Sequence, residues 1–503
     1  MEGEVVNTWL TLVVFVLPFA GGLLAAPLAK VSRATRSVGL CAVCAATLVA
    51  AASFVPGVLS GKVYETHILK LTPTIWMYMR VDALGALFGL TVAALWMLAL
   101  VYSLGYMADE QRLGRYYSFF MLCLAWTMGV AYSGNLLTFL IFYELFSILT
   151  YPLVVQEGTP QAMAAGTKYI IYILVGGSLV LLAIVFTFFV AGDQTLSTTP
   201  LLDITMGQGQ LRAIFWCFIA GFGVKAAIVP LHGWVPDAHP AAPAPFSAVL
   251  SGVMVAAGTF GIMRVVFNVF GVALLRELDV TRWLSYLAAL TVIFAAILAV
   301  NQDNIKRRLA YSTISQMGYV TLGVSLLGEQ AAVGAMVHIT NHAFMKGALF
   351  LVAGLLIKRA GVHNVSEIDG MAKRMPFTCA ALAIVTLGMI GTPPLSGFVS
   401  KWYLGLGILE AQQPLYLIVL IGGALIAAIY LLPMVYRAYF REPRPLAEGV
   451  SLASGADVSR EAPVSMLAPL GVAVGISIVL GLLASVEGSP LSLARVAAES
   501  FFR

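Results

Sequence analysis

The sequence predicts an all-α, polytopic membrane protein. Of its 503 residues, 60% are hydrophobic and only 11% charged, too little charge to cover the surface of a soluble chain of this length. Apolar stretches long enough to cross a bilayer recur from end to end. They run continuously rather than alternating. Since lipid satisfies no open backbone groups, continuous runs mean helices rather than a barrel.

Taken in order, about 14 spans are expected. They fall near 9–29, 36–58, 81–107, 115–133, 135–155, 167–191, 211–229, 244–270, 281–301, 308–328, 330–357, 376–410 (interrupted near 395), 414–438 and 464–485. The stretch 441–463 is polar, rich in Pro, Ser and Glu, and reads as a surface loop. Met1 is followed by Glu2, Glu4 and then a full-length span, unlike a cleavable signal peptide.

The net charge of +5 does not indicate a nucleic-acid binder, because the cations sit in short loops and form no stripe. Placing the N-terminus outside puts seventeen of the 29 Lys and Arg residues on the inner side and nine on the outer, with three lysines inside spans. That bias predicts both termini outside and an even number of spans. The expected location is the cell's inner (plasma) membrane. Cys41 and Cys44 form a CxxC inside an apolar helix with no second pair nearby, so no metal or redox role is assigned to them.

Pro230-Leu-His-Gly-Trp-Val-Pro-Asp237 resembles Pro394-Leu-Ser-Gly-Phe-Val-Ser-Lys401. Each follows an apolar half-helix and breaks it with Pro and Gly. They lie 164 positions apart, about five spans, so the copies run in opposite directions through the membrane. Inverted repeats with discontinuous helices place their broken ends at ion sites near the midplane. A chance match in a chain with 22 prolines is the plainer explanation, and breaks at matching places argue against it.

Several ionisable residues lie where they are costly. Glu144 sits in the middle of Phe139–Ile148, where an ionised carboxylate costs roughly 2.5–3.5 kcal/mol. Such a group is functional, paired or protonated; its plainer role is a structural bond between helices. Lys225 precedes the first break, and a desolvated lysine can alternate between charged and neutral forms. Snorkelling is the alternative if the break lies at the surface. His338, His342 and Lys346 are spaced four apart and share one helical face over about 12 Å. Histidine titrates near neutrality, so such a ladder suits a proton wire. The His pair lacks a carboxylate or cysteine, and no metal site is assigned. Lys401 closes the second break; His232 and His239, with Asp237, occupy the first. Polar residues in a re-entrant loop can also simply satisfy backbone groups.

The run Asp303-Asn-Ile-Lys-Arg-Arg-Leu-Ala-Tyr-Ser-Thr-Ile-Ser-Gln-Met-Gly318 closely resembles the signature of the antiporter-like subunits of respiratory complex I, Mrp-type sodium/proton antiporters and group 4 membrane-bound hydrogenases such as formate hydrogenlyase. Asn341–Phe350 and Gly391–Lys401 resemble the same family, and Pro230–Pro243 is most similar to its Mrp antiporter and hydrogenase branch. The resemblance covers roughly 80–440. It implies 14 helices, two inverted five-helix repeats, a polar axis along the midplane and no redox cofactor. It divides the chain into three N-terminal helices (1–110), a first repeat (111–272), a second repeat (273–440) and a loop with a C-terminal helix (441–503). The family's buried glutamate falls on Glu144, its broken-helix lysine on Lys225, and its second relay on His338, His342, Lys346 and Lys401. Lys168 falls on a recurrent family lysine. With His232, these are the expected proton-pathway residues.

One position departs. The family usually carries a lysine or histidine in the span after the first break. Here Val249–Phe260 has Ala256 at the lysine position and Ser251 where other members put histidine. Two functions therefore stand. The first is an ion-translocating subunit, for H⁺ or for H⁺ and Na⁺, working with other membrane subunits. The second is a membrane-arm subunit that conducts nothing, favoured by Ala256. A stand-alone uniporter is a weaker third.

Overall fold

The computed structural model describes residues 4–72, 75–110, 112–205, 207–443 and 461–502. Most of the expected 441–463 loop, namely 444–460, lies outside the described residues. The helices are α1 Leu10–Val31, α2 Arg33–Ala52, α3 Val55–Leu59, α4 Ala83–Tyr106, α5 Leu113–Ala131, α6 Leu136–Val154, α7 Pro160–Ala191, α8 Gln208–Ala226, α9 Val235–Ala241, α10 Ala244–Val249, α11 Ala256–Arg264, α12 Val272–Leu278, α13 Thr281–Val300, α14 Ile305–Ser325, α15 Glu329–Ala360, α16 Pro376–Ile390, α17 Ser396–Glu410, α18 Leu415–Phe440, α19 Val464–Leu482 and α20 Pro490–Phe502. Two π-helical segments, Leu250–Met254 and Val265–Phe270, flank α11, so that α10 to Phe270 is one irregular rod. Every expected span falls on helix, although 36–58, 244–270 and 376–410 are each divided between two or more of these segments. Among the described residues, nine helical segments are by themselves long and apolar enough to cross a membrane.

A small sheet was not expected. Strands β1 (Glu4–Asn7), β2 (Lys62–Lys70) and β3 (Trp76–Val81) lie in the order β1-β2-β3, parallel then antiparallel. Their stretches are too short and polar to register as spans, although about half of their residues are β-branched or aromatic.

Helix ends are closed by the chain's own polar groups, as an apolar surround demands. The Asp82 carboxylate accepts from Gly85 N at 2.7 Å and starts α4. Asn135 accepts from Thr138 N at 2.8 Å and starts α6. Asn304 accepts from Arg307 N at 3.0 Å and starts α14.

The internal duplication is visible in the backbone. The long helices α7 and α15 each have 32 residues and start 169 positions apart, at Pro160 and Glu329. Each ends on a left-handed glycine, Gly192 (φ 69°) and Gly361 (φ 67°), where a side chain would be strained. The capping residues Asn135 and Asn304 share that 169-position offset. Each forms an isolated antiparallel bridge just beyond its long helix, to Thr195 and to Asn364. Both expected breaks are present. α8 stops at Ala227 (φ 58°) and resumes as α9; α16 stops at Gly391 (φ 101°) and resumes as α17. Cis bonds precede Pro230 and Pro394.

The rod from Ala244 to Phe270 is wholly buried at the centre, packed on α4, α8, α14 and α15. Outer helices carry exposed apolar side chains instead, such as Leu174, Val175 and Leu181 on α7 and Ile418, Ile421 and Leu425 on α18. That inside-out exposure suits a lipid or subunit environment.

At one end of the rod, Arg264 is buried and grips Asp82 through two bonds of 2.5 and 2.8 Å, tying α11 to the start of α4. Bidentate pairing of this kind is strong, and removing one partner strands the other. Asp82→Ala is expected to destabilise the fold by about 3–5 kcal/mol, read as a large fall in the melting temperature of the solubilised protein. A wild-type melt would contradict it.

Candidate functional site

The interior holds two polar clusters built from corresponding parts of the two copies. In the first, the glycine-rich end of α8 brings Lys225 against α6 and α7. Its ammonium is fully buried and donates to Tyr169 Oη at 2.9 Å and Ser147 Oγ at 3.3 Å. It also lies 4.3 Å from the centre of the Phe146 ring, whose π-face attracts a cation. Tyr169 passes its own hydroxyl hydrogen to Ser147 O at 2.9 Å. The buried end of α8 therefore points a cation at a fixed set of oxygens and ring faces.

Glu144 lies one turn before Ser147 on α6, on the side where Lys225 approaches. Each charge acts on the other, but no ion pair forms within 4.0 Å among the described residues. The Oε1 atom of Glu144 is buried without a hydrogen-bond partner.

The second cluster follows α15. His338, His342 and Lys346 are all fully buried on one face. His338 Nδ1 lies 2.8 Å from Ser400 Oγ and Nε2 3.1 Å from Gln316 Oε1. The His342 ring centre is 6.1 Å from that of His338, and neither of its nitrogens has a partner among the described residues. Lys346 donates to Ser312 Oγ at 2.6 Å, and Tyr430 Oη donates to the same oxygen at 2.8 Å.

The 169-position offset superimposes the clusters. Ser147 corresponds to Gln316, Tyr169 to His338, Glu144 to Thr313 and Gly177 to Lys346. In both copies a broken-helix lysine approaches the junction of the second and third helices: Lys225 bonds Ser147 and Tyr169, and Lys401 lies 5.4 Å from the centre of the Tyr319 ring, which neighbours the His338 ring at 6.0 Å.

The remaining expected residues sit elsewhere. Lys401 donates to Met389 O at 2.8 Å and Ile390 O at 2.7 Å, closing the carbonyl end of α16 with a positive charge. At the first break the Trp234 indole does this work, donating to Val224 O at 2.7 Å. Lys168 is not in the buried line. It is 41% exposed and bonds Asp237 Oδ2 at 2.7 Å, with Arg307 3.7 Å from the other oxygen. The three line a cavity of about 610 Å³ that also touches Glu157, Pro240 and Asn304. His232 is half-buried between the Phe294 and Tyr311 rings, and its Nδ1 lacks a partner among the described residues.

Two residues were missing from the expected set. His239 is fully buried, stacked 4.8 Å from the Phe350 ring, with both nitrogens unpartnered among the described residues. The charges acting on it are Lys346 and Lys306. Lys306 is itself buried, donating to Ala242 O at 2.8 Å. In sequence His239 is a loop residue and Lys306 a loop cation, and only the folded chain brings Lys306 and Lys346 to bear on the same buried imidazole.

At the rod's centre Ala256 is fully buried. Ser251 Oγ bonds Thr313 Oγ1 at 2.6 Å, and Thr259 turns its hydroxyl back to Ala256 O at 2.9 Å. Gly258 meets the backbone of Ala226. The Phe88 and Phe260 rings stack at 4.5 Å beyond it.

The family model described as "NADH:quinone oxidoreductase/Mrp antiporter, TM" matches residues 133–427, more than half the chain. The chain belongs to this family. A second model, "NADH-Ubiquinone oxidoreductase (complex I), chain 5 N-terminus", matches 73–117. The chain is 31% identical over 417 residues to NADH-quinone oxidoreductase subunit N of Desulforudis audaxviator, covering 82% of each. It is 33% identical over 344 residues to Hydrogenase-4 component B of Escherichia coli, covering 65% of this chain and 50% of that one. The Mrp complex structure from Dietzia contains a chain of the same fold, with TM-score 0.87, 23% identity and coverage of 98% and 97%. Membership makes the chain a multi-pass membrane protein of the antiporter-like type, related to subunits of multisubunit membrane complexes.

Lys401 gives a direct test of this geometry. Lys401→Ala leaves two buried carbonyls without their donor and is expected to cost about 1–3 kcal/mol. Lys401→Arg keeps a donor and is expected to cost less, by thermal melting of the solubilised protein. Equal melts for alanine and wild type would contradict the capping role.

Proposed function

We propose that the chain is the ion-translocating membrane subunit of a multisubunit antiporter or redox-driven pump, carrying H⁺, or H⁺ together with Na⁺. One observation carries the reading: five ionisable side chains, Lys225, His239, His338, His342 and Lys346, are fully buried, with Glu144 near Lys225, and several of their polar atoms are buried without a partner among the described residues. Glu144 Oε1, both nitrogens of His239 and both of His342 are such atoms among the described residues. Each costs about 1–3 kcal/mol if left dry. Together that is a large fraction of the roughly 5–15 kcal/mol that holds a typical domain. A path that admits water and passes protons relieves this cost, and a purely structural role does not.

In this reading the proton-pathway residues are Glu144 and Lys225 in the first copy, His338, His342 and Lys346 in the second, and Lys401 at its outer end. Lys168 and His232 lie toward the mouth of the first break. The copies occupy 111–272 and 273–440, following the three helices of 1–110 and preceding a loop and C-terminal helix in 441–503. The protein lies in the inner (plasma) membrane with both termini outside, following the lysine and arginine bias. Its partners are other membrane subunits, which the apolar outer faces of α7 and α18 suit, together with lipid.

The close packing at Ala256 favours a second reading, a membrane-arm subunit that holds its neighbours without conducting. No hydrogen bond among the described residues joins the Lys225 cluster to the Lys346 cluster across it. A conducting subunit therefore has to bridge the rod by water or use its two halves separately.

Glu144→Gln separates the readings. The ion-translocating reading expects transport by the assembled complex in membrane vesicles to fall by about tenfold or more, with the subunit still assembled. Wild-type transport would favour the structural reading.

A further inference from the structure

α7 carries adjacent glycines at 176 and 177 that face two different neighbours. A Cβ at 176 would stand 3.0 Å from Gly221 O and 3.0 Å from the Val224 side chain, both on α8. A Cβ at 177 would fall onto Glu144: its three nearest atoms are the two carboxyl oxygens and the carboxyl carbon, all closer than any real side chain allows. The carboxyl group of Glu144 therefore occupies the volume that a side chain at 177 would fill. The glycine pair also sets the spacing of the helices around it. Val224 precedes Lys225, so the contact at 176 fixes the helix that bears the ammonium, and the contact at 177 fixes the carboxylate.

The second copy shows that the position is free to hold something else. The residue 169 positions on from Gly177 is Lys346, which donates to Ser312 on the facing helix. The residue 169 positions on from Glu144 is Thr313. The same gap between the second and third helices is thus filled by a carboxylate from α6 in one copy and by an ammonium from α15 in the other. A glycine at 177 is required only because the charge comes from the α6 side.

We propose that Gly177 is a positioning residue for ion transport: it seats the Glu144 carboxyl between α6 and α7, at the separation from Lys225 that translocation uses. The proposal rests on the reading of Glu144 as part of the ion path. Lacking a Cβ, Gly177 lets the α7 backbone lie directly against the carboxyl. A side chain there pushes the Glu144 carboxyl, the far end of a flexible side chain, out of its seat and so changes its separation from Lys225.

The test uses the assembled complex in membrane vesicles, with transport measured across pH. Gly177→Ala is expected to lower transport at least about fivefold and move the pH profile by at least about half a unit. Glu144→Asp shortens the side chain by one methylene and makes room for the extra carbon. In that background the alanine is expected to cost little, so that Gly177→Ala/Glu144→Asp matches Glu144→Asp alone in rate and profile. Loss of transport from general misfolding would not be repaired by the second change. The inference is overturned if the alanine has no effect on the wild-type background, or the same effect on both. If Glu144→Gln itself transports normally, both the ion-path reading and this inference fail. If Glu144→Gln is inactive and Gly177→Ala is normal, only the inference fails.

Discussion

A charged side chain in an apolar interior has to be held by dipoles that are already in place. In water the solvent would reorient around Lys225; in the packed bundle a phenol, a serine hydroxyl and an aromatic ring do so instead. Their positions depend on three helices meeting at one level, and the glycines of α7 and α8 let those backbones come close. The broken helices follow from the same demand. An interrupted helix leaves carbonyls unsatisfied, and at the second break a buried ammonium closes them while lying against the Tyr319 ring.

The duplication explains why one scaffold can carry two different charge arrangements. Matching caps, matching long helices and matching breaks give both copies the same backbone geometry. Within it the polar groups have been exchanged between helices: Tyr169 for His338, Ser147 for Gln316, and a glycine facing a carboxylate for a lysine facing serine. The first cluster centres on one lysine with a carboxylate nearby. The second is a row of imidazoles between lysines. The central rod divides them, and its methyl group at Ala256 is where the chain departs most from the arrangement that its motifs imply.

Much of this was legible in the sequence because apolar surroundings leave few options. The positions of the spans followed from their length and continuity. The breaks followed from the clusters of Pro and Gly at 230–237 and 394–401, residues that readily interrupt a helix. The shared face of His338, His342 and Lys346 followed from helical period alone. What could not be read was what each group meets across a helix gap. Nothing in the local pattern marks Ser147 or Tyr169 as partners of Lys225, or brings His239 under the influence of Lys346 and Lys306. Lys168 entered the expected pathway only through the resemblance, and the structure holds it half-exposed in a pair with Asp237. The small sheet escaped because its strands are brief and flanked by polar turns. The 169-position offset is carried by helix lengths and by a few matching caps, Asn135 with Asn304 and Gly192 with Gly361, too sparse a set to stand out in the sequence.

The most direct test is a structure of the assembled complex at a resolution that places ordered water. The account predicts water hydrogen-bonded to the ring nitrogens of His342 and His239 and continuous with Lys346, since a buried water needs about two to four polar partners and these groups supply them. Ring nitrogens packed dry against apolar side chains in a complex that transports normally would contradict it.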